Sequence, residues 1–411
     1  MSLRDFTTQA RPPKVTSKPA AAVPKGWEKG FEQTGTTGTL TSGPVTAEAS
    51  PQLWADLLAD WGIDPGTVDI VGTPRVKGWD SPIAGGDGET VRLRSYSVAF
   101  KSKATADTMG DVTALCEYVR KRKPPRKTPP PAKDIERAFL VLIADWQAGK
   151  NEGDGAGSEE FVERVLVAFD RTIERLAELK RNGRPCQVVY LVGLGDLVEG
   201  CHGNYASQQW AVDLTRREQI ALVVDLLVKL TDMIVDAGYR VVLAGVAGNH
   251  GEHRNGAGKA FTTEEDNDDL LVIEMAGRVF SGNPERYDGV TVYLPDELSM
   301  ALDIAGVVCG FYHGHIGSPK TNTLTKLAAW WTGQIVGNGP TAPASILFSG
   351  HYHHLHISEG SGRTHIQAPA MDGGSRWFRE ATGKTSAPGF LTMTIGGPTC
   401  GPRGFDDLRV A

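Results

Sequence analysis

The sequence has few cysteines and no long apolar run, and each absence excludes a class of protein. Its 411 residues include five scattered cysteines, an odd number with no C-x-x-C pair, so a disulfide scaffold is not expected. No stretch approaches the roughly 18 consecutive apolar residues of a membrane span. The first twenty residues contain no apolar segment, which predicts no signal peptide and a cytoplasmic location.

Charge is nearly balanced over the chain, but it is unevenly distributed. Lys and Arg number 43 against 49 Asp and Glu, which gives a formal net charge of -6. Residues 1–134 carry 19 basic and 15 acidic groups, so this part is +4 and the remainder is -10. The balance excludes a histone-like protein. An acidic body still permits nucleic-acid binding, because bound metal ions can supply positive charge.

Composition predicts a tail, a small module, a linker and one large domain. Residues 1–50 are rich in Thr, Ala, Pro, Gly and Ser, which predicts a disordered tail. Residues 51–118 combine helical spacing with alternating strand patterns and predict a small α+β module. Residues 119–134 are basic and proline-rich, so they predict a stiff linker that could also attract phosphate.

Residues 135–411 begin with alternating strands and helices and continue with short strands. The first half is predicted to hold strands over 139–144, 187–192 and 240–246, with helices over 158–181 and 213–237. Beyond residue 289 the pattern predicts mostly short strands and one helix near 323–335. Repeated βα units before a strand-rich half predict an α/β domain of two packed sheets.

Polar residues with metal-binding chemistry follow these strands. The first three predicted strands end in Asp145-Trp146-Gln147, Gly195-Asp196 and Gly248-Asn249-His250. Six of the ten histidines lie in two short segments, 312–315 and 350–356. Ligand sites of open α/β sheets form at the carboxyl ends of strands. Carboxylates, an amide oxygen and imidazoles together suit first-row divalent metals, and two ions about 3.5–4 Å apart could activate water and hold a phosphoryl group.

In this order, the motifs resemble the calcineurin-like metallophosphoesterase superfamily over roughly residues 135–370. The resemblance implies an α/β/β/α sandwich of two sheets with two divalent metal ions. The implied metal ligands are Asp145, Gln147, Asp196, Asn249, His313, His351 and His353. By the resemblance, Asp196 bridges the ions, while Asp145, Gln147 and His353 belong to the first site and the others to the second. His250 is implied as a catalytic residue, a proton donor or transition-state stabiliser that is not a ligand.

The sequence departs from the family pattern at two positions. Gln147 stands where the family usually has His, and Gly251 stands where it commonly has an acidic residue. An amide oxygen is a weaker and harder donor than an imidazole. We therefore expect a weakly bound first ion and a preference for Mn2+, with Mg2+, Fe2+ or Zn2+ as alternatives.

The resemblance implies a hydrolase that cleaves P–O bonds by in-line attack of a metal-bound hydroxide. Segments 195–201 and 367–375 also look like those of phage-encoded members similar to SbcD-type nucleases. With the N-terminal module, they predict a DNA exo- or endonuclease in the host cytoplasm. DNA is the expected partner, a membrane is not, and a homodimer or an ATPase partner subunit is a further option.

Two other functions remain open from the sequence. One is a phosphatase or phosphodiesterase acting on a protein or small molecule. The other is a non-catalytic, metal-stabilised DNA-binding scaffold, which Gln147 favours and His250 disfavours, because a scaffold needs no such histidine. A nucleotide site is not predicted at the Gly-rich segments 193–195, 245–248 and 153–157, because none completes a dinucleotide or phosphate-loop motif. Glu199 is a candidate for holding a ligand in place.

Overall fold

The computed structural model describes most of the chain in two compact units, which divide between residues 108 and 109. The described residues are 24–25, 27–34, 37–61, 65, 68–82, 90–102, 112–125, 135–152, 157–255, 258–260, 262–316, 323–372 and 386–411. None of the helices in these ranges combines the length and apolar character that a membrane crossing requires.

In its described part, the first unit is an antiparallel sheet with one helix. Its elements are β1 (Gly30–Thr34), β2 (Thr37–Thr41), α1 (Pro51–Asp60), β3 (Val68–Pro82) and β4 (Thr90–Ser102). The strand order is β1-β2-β4-β3, with every neighbouring pair antiparallel. Ser50 caps α1 by accepting a hydrogen bond from the backbone N–H of Leu53. Leu57 and Leu58 of this helix are buried against Leu40 and Phe100 of the sheet.

The prediction of a disordered tail over 1–50 is wrong for the described part of that segment. Strands β1 and β2 lie within it, and the side chain of Leu40 is fully buried. These strands are short and rich in Thr and Gly, and the pairing of β2 with both β1 and β4 supplies the hydrogen bonds that their composition does not reveal. Residues 1–23 lie outside the described residues.

The second unit contains two sheets and six helices in its described part. In chain order they are α2 (Val112–Lys121), β5 (Arg137–Ile143), α3 (Ser158–Arg181), β6 (Val188–Gly193), α4 (Arg216–Asp236), β7 (Arg240–Gly245), α5 (Asp268–Phe280), α6 (Pro284–Tyr287), β8 (Val290–Tyr293), β9 (Ser299–Ile304), β10 (Val307–Tyr312), α7 (Thr323–Gly337), β11 (Ile346–Ser349), β12 (His356–Gly360), β13 (Arg363–Gln367), β14 (Leu391–Gly396) and β15 (Phe405–Val410).

Each sheet has parallel strands at its centre. The six-stranded sheet has the order β15-β14-β5-β6-β7-β8, in which β5 to β8 are parallel and β14 runs antiparallel to β5. The five-stranded sheet has the order β12-β13-β11-β10-β9, in which β10, β11 and β13 are parallel. Parallel strands place their carboxyl ends along one edge, so each sheet offers one edge for a site.

The two sheets pack face to face, with helices on both outer faces. Alternate side chains of β5, such as Leu140 and Leu142, pack against Phe311 and Phe348 of the other sheet. The opposite face of β5, including Phe139 and Val141, packs in one cluster with side chains of α3, α4 and α5. Helix α7 covers the outer face of the five-stranded sheet through Leu327 and Trp331. The predicted α/β/β/α sandwich is therefore confirmed.

The described start of the predicted linker, residues 119–125, belongs to the second unit. Helix α2 belongs to the second unit, where Val119 is fully buried. Arg122 forms an ion pair with the buried carboxylate of Asp232 at 2.7 Å, and Arg286 donates to the backbone oxygen of Lys123 at 2.7 Å. A buried carboxylate and a buried guanidinium group thus fix the start of this basic segment, which the local sequence cannot show. Residues 126–134 lie outside the described residues.

Candidate metal centre

The sandwich gathers the predicted donors from both sheets at one place. Asp145, Asp196 and Asn249 follow β5, β6 and β7 of the six-stranded sheet, while His313 and His351 follow β10 and β11 of the other. The backbone N–H of His351 donates to Asp145 at 2.9 Å, and His313 Nε2 lies 3.0 Å from an Asp196 carboxylate oxygen. These contacts join the two sheets at the carboxyl ends of their parallel strands.

Left-handed backbone conformations direct the side chains of several donors toward the site. Five predicted ligands have positive φ: Asp145 (49°), Gln147 (44°), Asp196 (53°), His351 (71°) and His353 (58°). Such values are uncommon outside glycine and cost free energy, so the surrounding contacts must hold them. At Gly195, with φ of 85°, an added Cβ would lie 2.7 Å from both His313 Nδ1 and the Gly248 Cα, so only glycine fits.

Asp196, Asn249, His313 and His351 form the first group, which we call the Asp196 half. His313 Nε2 lies 3.0 Å from Asp196 Oδ2, 3.2 Å from Asn249 Oδ1 and 3.2 Å from His351 Nδ1. The other ring nitrogen, His313 Nδ1, lies 2.6 Å from the backbone oxygen of Leu194 and donates its hydrogen there. Nε2 is therefore the ring nitrogen that faces the other donors, and it is the one available as a metal ligand once a cation replaces its proton.

The donor chemistry of the Asp196 half fits a divalent cation. One ligand atom each from Asp196, His313 and His351 lies within 4.8 Å of the other two. Burial and the neighbouring His313 lower the pKa of His351 to about 3, so this imidazole is neutral, as a ligand must be. Burial lowers the pKa of His313, but the carboxylate of Asp196 outweighs it and raises the value to about 9. A bound cation would take the place of that proton among the donors.

The remaining predicted ligands are Asp145, Gln147 and His353. They lie in a second group together with Lys150 and Asp372, and we call this group the Asp145 half. His353 Nε2 lies 3.5 Å from Asp145 Oδ1, and its Nδ1 lies 3.5 Å from Asp372 Oδ2. Lys150 Nζ donates to Gln147 Oε1 at 2.8 Å and to Asp372 Oδ2 at 2.6 Å. The amide oxygen of Gln147, implied as a metal ligand, thus accepts a hydrogen bond from an ammonium group.

Lys150 and Asp372 were not predicted as site residues. The side chains are 9% and 5% exposed, so they form a buried ion pair. Burial lowers the pKa of Lys150, but the charge of Asp372 outweighs it and raises the pKa above its usual value. Lys150 lies three residues after Gln147 and offered a signal, since a charged residue so close to a buried motif needs a partner. Asp372 becomes its neighbour only through the sheet topology.

His250 lies beside the Asp196 half without joining it. Its Nδ1 lies 2.8 Å from the backbone oxygen and 3.2 Å from Oε2 of Glu199, and its Nε2 lies 4.0 Å from Asp196 Oδ2. The hydroxyl of Tyr205 donates to the other oxygen of Glu199 at 2.7 Å. Burial lowers the pKa of His250, but Asp196 and Glu199 outweigh it and raise the value to about 9. These two carboxylates therefore favour the protonated form of His250.

A buried carboxylate that sequence patterns missed supports the loops of the site. Asp269 accepts hydrogen bonds from the backbone N–H groups of Asp196, Leu197 and Gly248 at 2.8–2.9 Å. Burial and the charge of Asp196 raise its pKa to about 7. Asp269 thereby ties together the loops after β6 and β7, and it lies at the start of a helix that the sequence patterns did not single out.

Comparison with known proteins identifies similar solved structures only. No family model and no curated protein matches the chain. Vps29 of Entamoeba histolytica, in a structure described as complexed with Zn2+, is 14% identical, with 62% of this chain and 84% of that chain covered and a TM-score of 0.28. An archaeal phosphodiesterase is 9% identical (66% and 99% covered, TM-score 0.32), and a predicted phosphoesterase from Streptococcus pneumoniae is 11% identical (63% and 83%, TM-score 0.25). Because these identities and TM-scores are low, only this chain's own residues indicate the chemistry of the site.

Proposed function

We propose that this protein is a divalent-metal-dependent phosphoesterase and that its substrate is a DNA phosphodiester. The observation that carries the proposal is the Asp196 half with His250 at its border. A cluster of converging ligands without a reactive neighbour would suit a structural ion. A buried histidine whose Nε2 lies 4.0 Å from the Asp196 carboxylate supplies a candidate proton donor, which a structural site does not need.

The chain's own residues account for most of the proposed chemistry. Asp196, Asn249, His313 and His351 would hold a divalent ion, which when bound supplies Lewis-acid charge to a phosphoryl group and increases the acidity of water. His250 Nε2 would donate its proton, or a hydrogen bond, to the leaving oxygen. Glu199 fixes the His250 ring through Nδ1, and Tyr205 holds Glu199 in place. Mn2+ is the ion we propose, because the donors mix oxygen and imidazole nitrogen.

Turnover of a small diester tests the proposed activity. The full-length protein, stripped with a chelator and reloaded with Mn2+, should hydrolyse bis(p-nitrophenyl) phosphate faster than p-nitrophenyl phosphate. Linear and nicked DNA should be cleaved under the same conditions. Faster turnover of the monoester would favour a phosphatase. Metal binding without turnover of any of these substrates would instead support the non-catalytic scaffold.

In this proposal, recognition of DNA involves basic residues of the first unit in addition to the metal centre. Strands β3 and β4 present basic side chains, among them Arg75 and Lys77, both exposed. Basic groups that contact phosphates release counterions, so each contact steepens the salt dependence of binding. Replacing Arg75 and Lys77 together by alanine should weaken DNA binding and reduce the salt slope by about one per lost contact.

A control for this test is Lys229→Ala on α4, which removes a charge from the second unit. An unchanged salt slope in the Arg75 and Lys77 variant would remove the first unit from DNA recognition. The rate for the small diester should be the same in all three proteins, because none of these residues touches the metal centre. A cytoplasmic location and a partner subunit are further parts of the proposal, and co-purification of the tagged protein from its cell would test them.

A further inference from the structure

The Asp145 half already contains a fixed positive charge where the resemblance places a metal ion. Lys150 Nζ is held between Gln147 Oε1 at 2.8 Å and Asp372 Oδ2 at 2.6 Å. An ammonium group has three N–H donors. Within the described residues, these two acceptors take two of them, which leaves the third for a substrate oxygen.

The donors of this half do not converge as those of the Asp196 half do. Both carboxylate oxygens of Asp145 accept the backbone N–H of His351, at 3.1 and 2.9 Å. His353 has a carboxylate on each side, at 3.5 Å from either ring nitrogen. Among the described residues, three ligand atoms from His, Cys or acidic side chains lie within 4.8 Å of one another at Asp196, His313 and His351, and no such group lies in the Asp145 half.

A second divalent ion does not fit this arrangement. It would have to share the Gln147 oxygen with the Lys150 ammonium, and two cations on one neutral amide repel each other strongly in a buried site. Asp372 is nearly buried, and its closest cationic partner is Lys150. Removal of Lys150 would leave the buried carboxylate of Asp372 with His353 as its remaining partner, whereas the presence of Lys150 gives the Asp145 half a close, neutral ion pair.

We infer that the centre binds one divalent ion, in the Asp196 half, and that the Lys150 ammonium takes the electrostatic role of a second ion. The inference rests on the metal site of the proposed function and specifies its composition. A bound phosphoryl group would then lie between the Lys150 ammonium and the divalent ion. Lysine is suited to this role, since it acts as a point charge toward phosphate.

Metal stoichiometry in the absence of substrate tests the inference. The metal-stripped, full-length protein is titrated with Mn2+ alone by calorimetry, and the loaded protein is examined by electron paramagnetic resonance. Wild type should bind one ion per chain and give the hyperfine spectrum of an isolated Mn2+. Two ions per chain, or a spin-coupled spectrum, would overturn the inference. This measurement needs no variant, so misfolding cannot obscure it.

Two variants test the role of Lys150 itself. The double variant Lys150→Met with Gln147→His removes the ammonium and supplies an imidazole, so it should bind two Mn2+ ions and give a coupled spectrum. Lys150→Met alone should keep one tightly bound ion and lose hydrolysis on the order of 10²-fold, the scale for a lost electrostatic stabiliser. Lys229→Met, a lysine on α4 that pairs with Asp225 outside the site, is the matched control and should behave as wild type.

The outcomes separate this inference from the proposed function. One ion in both wild type and the double variant would show that Lys150 does not exclude a second ion, which overturns its assigned role. Unchanged hydrolysis in Lys150→Met would do the same. One ion in wild type and two in the double variant, without hydrolysis of any phosphoester, would remove the proposed function and leave the inference standing.

Discussion

The two halves of the centre contain similar residue types but differ in where their positive charge comes from. In the Asp196 half, a carboxylate and two imidazoles direct their donor atoms at one another within 4.8 Å. In the Asp145 half, an ammonium group already lies between Gln147 and Asp372, and His353 lies between two carboxylates. One half has donors that need a cation, and the other contains a cation of its own.

This difference shows that a motif specifies donors but not their partners. Asp145, Gln147 and His353 match the spacing that implies a metal site, yet their immediate contacts come from Lys150 and Asp372. Hydrogen bonds to a buried oxygen compete directly with metal coordination at that oxygen. The number of ions therefore depends on side chains outside the motifs.

The largest effect is expected for Asp196→Ala, which removes the only carboxylate of the Asp196 half. Hydrolysis should fall by about 10³-fold or more, and most bound metal should be lost, because the remaining donors are neutral. Metal content by mass spectrometry and diester turnover would be measured together. The control is Asp296→Ala, which removes an exposed aspartate that is not among the donors of either half. Retention of metal in Asp196→Ala would break the assignment of the ion to this half.

A smaller effect is expected for His250→Ala. The metal content should stay nearly the same, because His250 is not a ligand, while kcat should fall by roughly 10²–10⁴-fold through loss of the proton donor. The same metal analysis and turnover assay apply. Equal metal loss in His250→Ala and Asp196→Ala would show that His250 belongs among the ligands.

Tyr205→Phe should have a milder effect, because Tyr205 acts on His250 only through Glu199. It removes the hydrogen bond to Glu199 and leaves the His250 contacts in place, so kcat should fall by about tenfold, the scale of one hydrogen bond to a charged group. KM and metal content should not change, because Tyr205 positions Glu199 and does not touch the ion. A rise in KM with unchanged kcat would place Tyr205 in substrate binding instead.

The smallest effect is expected for Gln147→His with Lys150 intact. If the ammonium supplies the charge of the Asp145 half, the Mn2+ concentration for half-maximal rate should change by less than about tenfold. From sequence alone, the same substitution is expected to lower the Mn2+ requirement by tightening the first site. A metal titration of rate for both proteins decides between the two expectations, and a large decrease would favour two resident ions.

Regular elements with strong local signals could be predicted from the sequence. Helix α3 has the predicted limits, although Gly157 rather than Ser158 precedes its first turn and the side chain of Asp213 accepts the Ser158 N–H. Strands 299–304 and 363–367 also have the predicted limits. In these elements, periodicity and neighbouring residues determine the structure with little help from distant contacts.

Features that depend on distant partners could not be predicted. Strands β1 and β2 exist because β4 pairs with β2, and β15 because β14 offers an edge. The sequence patterns do not single out helix α5, although Asn267 caps it and Asp269 supports the site from its first turn. The contact between Lys150 and Asp372 joins residues 222 positions apart. Local patterns contain no information on such pairs.

The position of β14 has a consequence for the order in which the protein acquires its structure. Leu391 pairs with Leu142, so the strand before Asp145 keeps an open edge until β14 has been synthesised. Pairing over such a sequence separation is slow and leaves an edge exposed to aggregation. A nascent chain that already displays every histidine of the centre would still lack the strand that completes the sheet. We expect metal loading to follow the synthesis and pairing of β14.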